Sequence, residues 1–201
     1  VPVDGSGVAL ATIIGKVTVE RYLPMSLSAD ARRWRMLTAP FKVTNSPTIQ
    51  AAWQEGTFCP DRFNPFAYDP RPGYGTHITV SVVAANGFDQ GSRNNPSIFY
   101  YNNPTNTWIA PASTTGVKIT DNNGVYQLFV RGDRSVTTFS APATATTLRT
   151  TGKLYTIGSD APPVTTVLPG KFESIGNPYA SAIDFTLLTK PNVTDLDEMF
   201  Y

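Results

Sequence analysis

This chain has almost none of the residues that usually perform chemistry: one histidine, one cysteine, and only 15% charged residues among 201. With no second thiol, Cys59 cannot close an internal disulfide, so stability has to come from packing. Cys59 with His77 is the single nucleophile and base pair available, and no motif places the two together. A serine or threonine nucleophile would need the same histidine. A glycosidase needs only two carboxylates, and Asp61 with Asp69 is such a pair, again without a supporting motif. The expectation is a protein that is not an enzyme, with Cys59 a structural thiol and His77 a residue at a strand end.

Charge of either sign in excess is missing as well. Sixteen basic and fifteen acidic residues leave a net charge of +1, which gives no long-range field to draw nucleic acid or an anionic membrane. No apolar run approaches the about 20 residues that a membrane-spanning helix needs, so membrane insertion is not expected. Residues 1–10 lack the charged start and apolar centre of a signal peptide, which suggests a mature chain or a piece of a longer one.

What the chain does have is turn residues. Seventeen Pro and fifteen Gly sit among short runs of Thr, Val, Ile, Tyr and Phe, the composition of many short strands joined by long loops. The length suits one all-β domain. The expected fold is an all-β sandwich, jelly-roll-like, over 1–201 as a single domain with one short helix. Abundant Thr, Asn and Ser with little Lys and Glu is common in extracellular β proteins of bacteria.

Alternation locates the strands. Val17 and Val19 share one face of a strand within 15–22, and Arg33, Trp34, Arg35 and Met36 repeat the pattern before Pro40. Ile78, Val80 and Val82 predict a strand over 77–83. Residues 125–130 follow an Asp121-Asn122-Asn123-Gly124 turn. Further candidates are 97–101, 117–120, 147–155 and 172–175. One helix is predicted: Ser46 as cap, Pro47 at its first position, Ile49, Ala52 and Trp53 at helical spacing, and Gly56 at its end. Trp34 and Trp53, on patterned elements, read as core. Residues 58–75, rich in Pro and aromatics, read as a long loop where function is worth seeking.

Five segments in order resemble a β-rich domain of large secreted and cell-surface proteins of Bacteroidota exported by the type IX system. They are residues 15–22, Trp34 to Pro40 with its Arg35-Met36-Leu37-Thr38 run, 72–79, 128–135 with Arg131-Gly132-Asp133, and 175–185 with Gly176-Asn177-Pro178-Tyr179. The resemblance implies an accessory or structural module and assigns no catalytic residue.

The functional candidates follow from that. Tyr74, Trp108 and Tyr100 are the ligand-binding candidates, because flat rings stack on sugar faces. Calcium is weighed at Asp121, Asn122 and Asn123 and at Asp195, Asp197 and Glu198, where turn and solvated-face readings are preferred and no cofactor is expected. Arg131-Gly132-Asp133 spells a tripeptide that animal integrins can bind, but its residues are adequate turn chemistry by themselves. An N-terminal arm over 1–12, with Val1 and Val3, and the strand-like Met199-Phe200-Tyr201 suit assembly by strand addition. The expectation is an extracellular or cell-surface structural or adhesive module whose partners are other protein chains, copies of itself included. The alternative is a carbohydrate-binding module of a larger secreted protein, with glycans as partners.

Overall fold

Alternating side chains set the first sheet. Strand β1 (Val17–Leu23) runs antiparallel to β6 (Thr146–Gly152), with Val17 opposite Gly152 and Leu23 opposite Thr146. That register gives Val17, Val19 and Leu23 the same face as Leu148 and Thr150, and the aliphatic members of this face pack on the core. On the other face Thr18 and Thr151 join hydroxyls at 2.7 Å. The computed structural model describes residues 13–24, 32–55, 72–80, 86–90, 95–138, 140–156 and 165–184.

The second sheet has the order β2-β5-β3-β4, from β2 (Arg33–Thr38), β3 (Ile98–Asn102), β4 (Thr107–Ile109) and β5 (Val125–Val130). All its pairings are antiparallel. Strand β5 is the centre: Tyr126, Leu128 and Val130 are fully buried on one face, while Gln127 and Phe129 point to the other. Leu37, Ile98, Tyr126 and Leu128 join Leu23 and Leu148 in one hydrophobic cluster, so both sheets contribute to the same core. The all-β class is therefore as the composition predicts.

Helix α1 (Ile49–Trp53) buries Ile49, Ala52 and Trp53 at the expected spacing. Its cap is Thr48, not Ser46: Thr48 Oγ1 accepts from the Ala51 amide at 3.2 Å. The start is shifted because a neighbouring segment satisfies the first donors, Ile49 N bonding Val117 O and Gln50 N bonding Thr114 O, both at 2.9 Å.

Among the described residues, three predicted strands form no ladder. Residues 117–120 instead form a turn, in which Asp121 Oδ2 accepts from the Lys118 amide at 2.8 Å. Around 172–175, asparagine side chains take the backbone: Phe172 N donates to Asn106 Oδ1 and Phe172 O accepts from Asn103. Residues 75–80 are extended, but their amides bond to side chains and to isolated backbone carbonyls of α1 and β6. Thr76 N reaches Trp53 O at 2.8 Å, Ile78 N reaches Asp89 Oδ2 at 2.9 Å and Thr79 N reaches Ser97 Oγ at 2.9 Å. Residues 81–83 of that prediction lie outside the described residues, as does Gly56.

Trp34 is not core. It lies on the outer face of β2 and is 43% exposed, whereas Leu37, on the opposite face, is 2% exposed. Alternation separates the two faces of a strand without saying which is buried, and here the aliphatic side wins. Leu128 is opposite both Arg35 and Ile98 and is fully buried. Leu128→Ala should cost about 3 kcal/mol of stability, read as a lower denaturant midpoint with an unchanged slope; a loss below about 1 kcal/mol would remove β5 from the centre of the core.

Candidate functional site

The three ligand-binding candidates are not brought together. Tyr100 is opposite Ile109 and packs on the core side, while its neighbour Tyr101 is opposite Trp108. Tyr74 is half-buried, with the Arg149 guanidinium 4.0 Å from its ring centroid. Arg149 also pairs with Glu55, which raises its pKa, and the Tyr74 backbone bridges Thr147 of β6. Tyr74 is thus a clamp between the 73–75 segment and β6. Trp108 is the exposed one of the three, 40% accessible and edge-on to Tyr101 at 5.3 Å.

Trp108 belongs to a larger feature. Side-chain alternation puts Trp34, Met36, Phe129, Gln127, Phe99, Tyr101 and Trp108 on the outer face of β2-β5-β3-β4. Trp34 contacts Phe129 at 5.2 Å and Phe99 at 5.5 Å, tilted by 53° and 44°. Tyr101 and Trp108 continue the row at 74°. The rings form a corrugated surface instead of a flat platform, and both tryptophans with Met36 are more than a third exposed. Sequence reasoning missed this row because it assigned Trp34 to the core; the signal was the shared period of two in Trp34 with Met36 and in Phe99 with Tyr101.

A second constellation is sealed inside. Asp89 Oδ1 accepts from Arg134 Nη2 at 2.6 Å, both side chains fully buried. Its Oδ2 accepts from Gln54 Nε2 at 2.8 Å and from the Ile78 amide at 2.9 Å, while Asp89 N donates to Ile78 O at 2.7 Å. One carboxylate therefore ties the end of α1, the 75–80 segment, the 86–90 segment and the turn after β5. His77 lies beside this pair, fully buried rather than at a strand end. Burial pushes its pKa down to about 4; Asp89 opposes that shift, and Arg131 and Arg134 add to it.

Arg131-Gly132-Asp133 is folded inward. Asp133 is 6% exposed, and its carboxylate accepts from the amides of Gly73 at 2.7 Å and Ser135 at 3.0 Å and from the Ser135 hydroxyl. The Arg131 guanidinium reaches His77 O and Thr79 Oγ1 at 3.4 Å, and burial lowers its pKa. Gly132 has φ +140°, and a Cβ there would meet the Thr144 backbone nitrogen at 2.7 Å. The triplet closes a buried turn, as its residue chemistry suggested, and presents no carboxylate to a receptor.

Asp121 is likewise spent on its turn, its carbonyl accepting from Gly124 N at 2.9 Å; Asn122 and Asn123 take φ of 54° and 59°. Among the described residues no group of three His, Cys, Asp or Glu could hold a metal ion. Cys59, Asp61, Asp69, Asp195, Asp197 and Glu198 lie outside the described residues. So do the assembly candidates Val1, Val3, Met199, Phe200 and Tyr201.

Removing one partner of a buried ion pair strands the other charge, whereas removing both is far milder. Arg134→Met should therefore cost about 3–5 kcal/mol, and Asp89→Asn in that background should restore part of the loss. Thermal or denaturant unfolding of the four-membered cycle measures the coupling, and additive losses would show that the pair does not interact. No family model, curated protein or solved structure matches this chain.

Proposed function

We propose that this chain is an extracellular structural or adhesive module that meets another protein chain through the outer face of the β2-β5-β3-β4 sheet. The observation that carries the reading is the exposed aromatic row on that face, from Trp34 on one edge strand to Trp108 on the other. Clustered exposed apolar groups mark contact surfaces, and tryptophan, tyrosine, phenylalanine and methionine are the residues enriched at protein interfaces. The tilts between rings suit interdigitating side chains better than a flat ligand. The inward use of His77, Asp89, Asp133 and Arg134 supports scaffold work over catalysis. A sandwich arrangement belongs to the same proposal, supported by a core that draws on both sheets. The extracellular setting is supported by the composition and by the ordered resemblance to type IX cargo of Bacteroidota. Strand addition through the chain ends would supplement the face contact.

Carbohydrate binding is the second reading, favoured by Trp108 standing exposed beside Tyr101. The two readings part in one experiment. Sedimentation of the purified chain should show concentration-dependent association that is lost in the Trp34→Ser, Trp108→Ser double variant, with melting unchanged within a few degrees. A monomer at every concentration that binds glycans through those tryptophans would favour the second reading, and a monomer that binds none would reject both self-association and the second reading.

A further inference from the structure

The sealed cluster contains one group that ordinarily changes charge near neutral pH, and no hydrogen bond holds its ring. Both ring nitrogens of His77 are buried without a hydrogen-bond partner. The charged groups facing the ring are Asp89 from the 86–90 segment and Arg131 and Arg134 from the turn after β5. The end of α1 contributes Gln54, which is uncharged and already donates to Asp89 and to Gly87 O. Asp89 in turn accepts from Gln54, Ile78 and Arg134. A neutral ring is tolerated there; a protonated one would be a buried cation with both N–H groups lacking an acceptor, and the pull of Asp89, already shared with Arg134, does not outweigh burial together with the two guanidiniums.

We propose that His77 is an acid-release latch: proton uptake by its ring parts the 75–80 segment from the 86–90 segment and from the turn after β5. The parting disrupts the bonds at Ile78, Thr76 and Thr79 that hold those pieces together. The sign follows from the direction of the shift. The folded pKa, about 4, lies below the ordinary 6.5, so the stabilisation is fully present above pH 6.5. It is lost as pH falls from there through 4, up to about 300-fold in the folding equilibrium constant.

The chain has one histidine, so its ring can be followed by NMR without ambiguity. In the native protein the ring should stay neutral down to about pH 4, while the denaturant midpoint falls between pH 6.5 and 4. His77→Leu removes both unpartnered nitrogens and should flatten that part of the pH profile while keeping the midpoint at pH 7. A ring that titrates near 6.5 with the midpoint unchanged would overturn the latch, as would a folded His77→Leu protein with the wild-type pH profile. Should His77→Leu fail to fold, the wild-type ring titration decides alone.

Discussion

The Asp89 carboxylate is the junction on which the inner seam of the fold depends. It holds Arg134, Gln54 and the Ile78 amide at once, from positions 45, 35 and 11 residues away. Such a group is expensive to bury, and its attraction for Arg134 offsets that best when the remaining lone pairs and protons are satisfied; Arg134 Nε and Nη1 are buried without a hydrogen-bond partner. Here both oxygens have partners. The consequence is specificity of arrangement: the 75–80 segment has no ladder of its own, yet side-chain bonds together with isolated backbone bonds hold it between the end of α1, the 86–90 segment and the turn after β5.

The same constraint explains where the chemistry of the chain has gone. Asp133 closes the Gly73 and Ser135 turn, Arg131 braces the 77–79 backbone, and Arg149 clamps Tyr74 against Glu55. These are polar side chains doing the work that a disulfide or a longer ladder does elsewhere. On the outer face of the four-stranded sheet the exposed groups are tryptophan and methionine, and the proposed contact role rests on them.

Much of the framework is legible in the sequence. The alternation of Val17 with Val19, of Ile98 with Tyr100 and of Tyr126 with Leu128 follows from a pleated strand with one buried face, and α1 announces itself by Ile49, Ala52 and Trp53. Trp34 shows the limit: alternation defines two faces, and only the pairing of Leu37 with Tyr126 decides which one turns inward. The seam is less legible still. Asp89, Arg134 and Gln54 carry no local pattern, since their meaning comes from partners far along the chain. The same holds for 172–175, where asparagine side chains from the β3-β4 connection take the backbone groups of Phe172.

Native-state hydrogen exchange at neutral pH tests the central claim most directly. If the Asp89 seam is an integral part of the cooperative fold, the Ile78 amide, bonded to Asp89 Oδ2, should exchange only through global unfolding, with the same protection as the most protected amides of β5. Exchange of Ile78 through a local opening, orders of magnitude faster than those of β5, would contradict it and reduce the seam to a loosely docked loop.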